Sequence, residues 1–304
     1  MERWIEVEFH LSGELADPVA ELLTRLAPEG VALEQDPAAP DGAVRLRAWL
    51  PNDQALPSRR RALEEGLWHL SQIQPIPPPT FRAIPDVSWS DAWRDLHHPL
   101  PVGARLVVLP PWAQAPEGPR LPICIEPGMA FGTGSHPTTR QCLEALETLL
   151  RPGALAAGLG CGSGILSIAA AKLGARRVLA YDTDPLAVAA AQENAVRNSV
   201  EALVQVEQGS LTQLRAHPAV QQGELELLVA NIYAGALEQL LSQGMGDCVA
   251  PAGIVVLSGI LEEQAESLVV SAAAGGLALQ ETRSEGDWRT LILERKPPQA
   301  SGRS

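Results

Sequence analysis

Apolar and polar residues alternate with a period of two through "WIEVEFHL", where Ile5, Val7 and Phe9 fall on one side and Glu6, Glu8 and His10 on the other. That period predicts a half-buried strand. It lengthens in "DPVAELLTRLA", which places Leu22, Leu23 and Leu26 on one helical face, with Asp17 as the expected N-cap and Pro18 in the first turn. "GVALEQD" and "AVRLRAWL" predict a strand pair joined across the Pro-Gly segment around Asp41, "PSRRRALEEGLWHLSQI" a second helix, and "PTFRAIPD" a closing strand. The order β-α-β-β-α-β is that of a small ferredoxin-like α+β domain, expected over residues 1–86.

Residues 87–115 carry Trp89, Trp93, Trp112, the pair His97 and His98 and several prolines, and are expected to form an ordered connector. From 116 to 297 the pattern changes to apolar strand-like runs ("RRVLAYD", "LVQVEQGS", "ELLVANI", "IVVLSGI") alternating with Ala- and Leu-rich helical ones. That alternation predicts a parallel sheet covered by helices on both faces. "LALQETRSEGDWRTLILERK" breaks it: two strand-like runs are separated by a Gly-Asp turn without a helix, so an antiparallel hairpin is expected at the sheet edge. Residues 298–304 read as a disordered tail.

Composition narrows the function classes. An apolar fraction of 46% in 304 residues supports a sizeable core, and no apolar run approaches the ~20 residues that span a bilayer. The N-terminal "MERWIEVEFH" has acidic residues where a signal peptide carries its apolar stretch, so the cytoplasm is the expected compartment. Cys124, Cys142, Cys161 and Cys248 form no C-x-x-C pair, and neither zinc nor a disulfide framework is indicated. A formal charge of −13 argues against broad nucleic-acid binding and suits a cationic partner.

Two glycine-rich stretches carry the candidate chemistry. "IEPGMAFGTGSHPTT" leads into a helix starting near Thr138, and a helix start can bind an anion. A P-loop, however, needs Lys after its last Gly, and here Gly134 is followed by Ser135 and His136. "GLGCGSGILSIAAAKLGA" spaces Gly158, Gly160, Gly162 and Gly164 on alternate positions before an Ala-rich helix; a dinucleotide site would need Gly in place of Ile165. Asp182, about twenty residues on and at the end of "VLAYD", is placed to accept from a ribose hydroxyl pair. A nucleoside is implied without a demand for phosphates, and the repeat, Asp182 and the terminal hairpin together point to S-adenosylmethionine.

"EPGMAFGTGSHPTT", "GCGSGILSIAAAKLGA", "VANIYAG" and "LSGILEEQ", in that order behind a small N-terminal domain, resemble the ribosomal protein L-eleven methyltransferase (PrmA) family. The resemblance is dense over the second half of the chain and looser before Asp86. It implies a class I, Rossmann-like, seven-stranded methyltransferase domain whose N-terminal companion grips a large-subunit ribosomal protein; charge and the lack of a long apolar run add the expectation of no direct nucleic-acid or membrane binding. It further implies methyl transfer from S-adenosylmethionine to lysine side-chain and N-terminal amino groups. The implied cofactor-binding positions are Phe131, Thr133 and Thr139 in and after the opening loop, Gly160 and Gly162 after the first strand, Asp182 after the second and Asn231 after the fourth. The loop from Gly128 to Pro137 would cover the methionine end, with Phe131 as an apolar wall. One departure stands out: relatives carry an acidic residue where this chain has Gly158.

Several tempting residues have plainer readings. His136, before Pro137, reads as a helix cap rather than a base. His97 and His98 lack partners at metal spacing, Arg59 to Arg61 read as a solvated helix start, and Trp89 and Trp93 suit packing. Tyr233, near Asn231, is divided between packing and function. No general base is assigned. A small-molecule N- or O-methyltransferase, and a catalytically silent S-adenosylmethionine-binding module, remain the alternatives.

Overall fold

The computed structural model describes residues 2–11, 13–27, 30–35, 44–71, 75–85, 98–126 and 134–296. Phe131, Thr133, Trp89, Trp93, His97 and the tail after 297 lie outside them. By its contacts the chain divides into two compact units; of the described residues, those up to His98 belong to the first and those from Pro99 onward to the second.

The first unit realises the predicted element order: β1 (Glu2–Leu11), α1 (Gly13–Thr24), β2 (Val31–Gln35), β3 (Val44–Pro51), α2 (Leu56–Ser71) and β4 (Thr80–Pro85). Its antiparallel sheet runs β2-β3-β1-β4. Val7, Phe9 and Leu11 from β1 meet Leu46, Ala48 and Leu50 from β3, and Leu15, Val19 and Leu23 of α1 and Leu63 of α2 close the core over them. Gly66 lets the helices touch, since a Cβ there would stand 2.5 Å from Leu22 Cδ1. On the other face Glu8 pairs with Arg45 (2.6 Å) and Glu6 with Arg47 (3.6 Å), ion pairs between neighbouring strands. One boundary departs from the sequence expectation. Asp17 is not the N-cap of α1, which starts at Gly13 and carries Pro18 inside. Pro18 lacks only the N–H that would reach the Glu14 carbonyl, while the turn ahead of it buries Leu15 and Ala16. Arg59 to Arg61 open α2, where Arg59 pairs with Asp53 (2.6 Å) and Arg60 lies over the Phe81 ring.

Part of the expected connector is strand in the second unit. β5 (Leu100–Val102), β6 (Leu106–Leu109) and β7 (Leu121–Cys124) form a small sheet, with β5 antiparallel and β7 parallel to β6. Arg120 Nη1 donates to the carbonyls of Val102, Gly103 and Leu106, and Glu147 accepts from the N–H groups of Ala104 and Arg105.

The main fold follows: α3 (Pro137–Leu149), β8 (Leu155–Leu159), α4 (Ile165–Lys172), β9 (Arg177–Asp182), α5 (Pro185–Arg197), β10 (Val204–Gln208), α6 (Leu211–Ala216), α7 (Pro218–Gln221), β11 (Leu225–Asn231), α8 (Ala234–Ser242), β12 (Ile254–Leu261), α9 (Glu262–Ala274), β13 (Leu277–Glu285) and β14 (Trp288–Arg295). Seven strands run β10-β9-β8-β11-β12-β14-β13, parallel up to β12, with β14 antiparallel to both its neighbours. This is the expected Rossmann-like sheet with its terminal hairpin. Successive residues of β8 serve opposite cores, Ala156 on one face and Leu155, Ala157 and Leu159 on the other. Small side chains there are poor strand formers by propensity, but burial between β9 and β11 overrides that, and they let helices seat close to the sheet.

The order of strands reverses at β8 and β11, and the crevice at the carboxyl ends of such a pair is where open α/β sheets bind ligands. The backbone there is tightly fitted. Gly259, beside the register shift between Leu257 and Ile260, has φ +82°, and a Cβ on it would stand 2.4 Å from the Ile232 carbonyl oxygen. Both atoms are held by main chain, so neither can yield. Gly259→Ala is expected to destabilise the protein by at least about 2 kcal/mol, combining left-handed backbone strain with the clash. Urea unfolding that showed an unchanged midpoint would disprove this packing.

Candidate functional site

The site is assembled from the carboxyl ends of β8, β9 and β11. After Leu159 the chain turns through Gly160 and Gly162 to Gly164, which is the N-cap of α4. Gly160 has φ +66°, and a Cβ on it would lie 2.3 Å from Ile232 Cγ2; at Gly164, φ +82°, it would lie 3.0 Å from Ala191 Cβ. These two positions are glycine because the turn is left-handed and closely packed on both sides.

Asp182 ends β9, and its carboxylate is already oriented. Oδ2 accepts from Gly162 N–H (2.9 Å) and Oδ1 from Asp184 N–H (3.0 Å). Each carboxylate oxygen can accept more than once, so capacity remains for a ligand diol. Asp184 caps α5 by accepting from Leu186 N–H (2.9 Å). Asn231 ends β11, and its Nδ2 donates to Thr139 Oγ1 at 3.4 Å. Thr139 lies in the first turn of α3 and is buried. Thr139 and Asn231 are thus brought together, as are Gly162 and Asp182. Phe131 and Thr133 fall outside the described residues.

The floor of the site is polar and buried. Ser258, paired in register with Asn231, has its hydroxyl 2.6 Å from Thr290 Oγ1 and donates to the Thr138 carbonyl (3.4 Å). This ties β12, β14 and the start of α3 beneath Asn231. Sequence reasoning passed over Ser258 and Thr290, isolated hydroxyls inside apolar strands. It also missed Asn194 inside α5 and Asn198 at its C-cap, although the first was a usable signal: Asn is a weak helix former and asks for partners elsewhere.

Gly158, the position where relatives carry an acid, is buried in β8, and a Cβ there would stand 3.1 Å from Ser167 Oγ. Tyr233 follows the strand end as the N-cap of α8 and is 74% exposed, with its ring against Gly235. Burial, reinforced by the Asp182 charge, pushes the Cys161 thiol up to about 12, so it is no nucleophile at neutral pH. Among the described residues no cluster of His, Cys, Asp and Glu could hold a metal, and no helix is long and apolar enough to cross a membrane. The glycine turn with no room for a Cβ, the ribose-suited carboxylate and the amide at the next strand end fit the nucleoside and amino-acid halves of S-adenosylmethionine.

His136 caps α3. Its Nδ1 accepts from Thr138 N–H (3.3 Å) and lies 2.7 Å from Thr138 Oγ1, and the ring meets Trp288 edge-on at 4.9 Å. Nδ1 is committed to the cap, which leaves it unavailable as a base. Burial, with Arg140 adding its charge, lowers the imidazole from 6.5 to about 4. The unfolded state therefore binds this proton more readily than the folded state, and the neutral cap's contribution is full above pH 6.5 and lost as pH falls toward 4. The loss is expected to be on the order of 2 kcal/mol. Chemical denaturation of His136→Asn, which keeps a capping side chain without the titration, should show a shallower decline over that window; an identical decline would exclude His136 as its source.

Comparison with known proteins extends the likeness over the whole chain. A family model described as "Ribosomal protein L11 methyltransferase (PrmA)" matches residues 3–296. A ribosomal protein L11 methyltransferase of Chloroflexus aurantiacus is 38% identical, covering 96% of this chain and 98% of its own length. One from Synechococcus sp. is 40% identical over 96% of this chain and 97% of its own. The crystal structure of a ribosomal protein L11 methylase from Lactobacillus delbrueckii subsp. bulgaricus superposes with a TM-score of 0.57 at 31% identity, covering 66% of this chain and all of that one. Site geometry and full-length similarity agree: the chain belongs to the ribosomal protein L11 methyltransferase (PrmA) family.

Proposed function

We propose that this protein is a cytoplasmic S-adenosylmethionine-dependent methyltransferase that methylates lysine side-chain and N-terminal amino groups of ribosomal protein L11. The observation that carries the reading is the meeting of three strand ends: the glycine turn after β8, the Asp182 carboxylate after β9 and the Asn231–Thr139 pair after β11. The first unit is taken as the domain that grips the protein substrate, and the second as the one that performs the transfer.

When bound, the cofactor supplies an electrophilic methyl group on a sulfonium sulfur. The chain's residues divide the remaining work. Gly160 and Gly162 bring the backbone close to the ligand. Asp182, held by Gly162 and Asp184, accepts from the ribose hydroxyls. Thr139 accepts from Asn231 Nδ2, which leaves the Asn231 carbonyl oxygen as an acceptor for the cofactor and for an N–H of the substrate amine. That contact orients the nitrogen lone pair. Phe131 and Thr133 complete the cofactor-binding set proposed from the sequence.

A free lysine has a pKa near ~10.4 and an α-amino group ~7.7–8.0, so the attacking amine must first lose a proton, which desolvation favours and water can accept. With His136 neutral and committed to its cap, and Cys161 protonated, no dedicated base is assigned. Alignment of the reacting atoms at ~3–3.5 Å then supplies much of the acceleration.

The direct test is transfer of labelled methyl groups to recombinant L11, with mass spectrometry locating them on amines. Label on another atom type, or none with a folded and cofactor-loaded enzyme, would refute the reading. Asp182→Ala is expected to weaken S-adenosylmethionine by roughly 1.5–3 kcal/mol in calorimetry, the scale of hydrogen bonds to a charged group; undiminished affinity would remove Asp182 from the site. Gly158→Asp is expected to tighten binding by about 1 kcal/mol through a charge-assisted hydrogen bond to the cofactor's ammonium group, with Ser167 Oγ, 3.1 Å from the added Cβ, shifting to admit it. Weaker binding by that folded variant would count against placing the end of β8 beside the methionine moiety.

A further inference from the structure

The glycine turn is gripped from a second direction, by α5. Asn194 lies in that helix and Asn198, one turn on, is its C-cap; they are only 2% and 7% exposed. Buried amides need partners, and both find them beyond the helix, Asn198 Nδ2 also donating to the Asn194 carbonyl (2.8 Å). Asn198 Oδ1 accepts from Cys124 N–H (2.8 Å) and its Nδ2 donates to the Cys124 carbonyl (2.6 Å), so that one side chain pairs with β7 as a neighbouring strand would. Asn194 reaches two segments at once. Its Nδ2 donates to the Ser163 carbonyl in the glycine turn (3.0 Å), and its Oδ1 accepts from Glu126 N–H (3.2 Å), just beyond β7. Arg197 fastens the same corner, donating to Asn194 Oδ1 (3.0 Å) and pairing with the Glu126 carboxylate (2.8 Å).

We propose that Asn194 is a positioning residue for the cofactor site, acting through the glycine turn. The turn is held at two consecutive residues, at the Gly162 N–H by Asp182 and at the Ser163 carbonyl by Asn194. Main-chain bonds from Cys161 N–H to the Tyr181 carbonyl (3.1 Å) and from Gly164 N–H to the Cys161 carbonyl (2.8 Å) hold the ends of the turn, and the two side-chain bonds fix the rotation of the peptide planes between them. Asp182 and Asn194 belong to the end of β9 and to the helix that follows it, so a single β-α unit presents the ribose-suited carboxylate and sets the turn opposite. The inference rests on reading that turn as the cofactor's seat.

Asn198 provides the internal control, because it has the same chemistry and similar burial but contacts β7 and not the turn. In the full-length protein, Asn194→Ala is expected to raise the S-adenosylmethionine dissociation constant about tenfold or more and to speed amide exchange across 160–164 in the ligand-free state. Asn198→Ala should cost comparable stability yet leave the dissociation constant within about twofold. Asn194→Asp, nearly isosteric, keeps the acceptor for Glu126 and loses the donor to Ser163, and should weaken the cofactor as the alanine variant does. Wild-type affinity in both Asn194 variants, with only their melting temperatures lowered, would reduce Asn194 to a structural role and overturn the proposal. If the wild-type protein failed to bind S-adenosylmethionine, the functional reading itself would fall. Exchange across 160–164 in ligand-free Asn194→Ala would still decide the positioning claim, and an unchanged rate there would overturn it.

Discussion

Much of the second unit's functional end depends on one hydrogen bond, from the Gly162 amide to the Asp182 carboxylate. It joins the turn after β8 to the end of β9 across the parallel sheet and places a negative charge beside backbone that carries no side chains. Without it the Gly162 amide would have no side chain to fix its direction, and Asp182 would be held at its Asp184 side alone. With it, each fixes the other's orientation before a ligand arrives, and preorganisation of this kind lowers the ordering cost that binding would otherwise incur. The Asp184 amide holds the same carboxylate from the other side.

The same economy of side chains runs through β8. Ala156, Ala157 and Gly158 are weak strand residues in isolation, yet they sit in the middle of the sheet. There, close approach matters more than propensity, because each added methyl would push a covering helix away from its neighbour. Ser167, 3.1 Å from where a Gly158 Cβ would stand, shows how little room is left. Several polar groups enter this interior in satisfied pairs, as with Ser258 and Thr290 or Asn198 and the Cys124 backbone.

The architecture was legible in the sequence because hydrophobic period is a local property. Alternation in "WIEVEFHL" became β1, and the two runs flanking the Gly-Asp turn became the β13–β14 hairpin. The start of α1 was not legible, since Pro18 reads as a first-turn residue unless one knows that Leu15 and Ala16 have a sheet to bury against. Strands β5 and β6 were hidden among prolines for a similar reason: they are held by Arg120 and Glu147, partners distant in sequence. At the site, glycines and Asp182 were visible through spacing. Asn194 and Asn198 were not recognised, although the unsuitability of Asn194 for a helix interior announced that something outside the helix was holding it.

The position of β14 has a consequence for how the chain folds. It lies between β12 and β13 although it follows both in sequence, so β12 stays unpaired on one side until α9, β13 and β14 have all formed. Pairing across that separation carries a loop-closure cost before any contact rewards it, which slows folding. In the interval, the apolar run from Val255 to Leu257 presents an open strand edge. The bottleneck of folding, and the species most prone to aggregate, is therefore expected at this half of the sheet, away from the glycine turn, with the β9–β8–β11 core able to consolidate first.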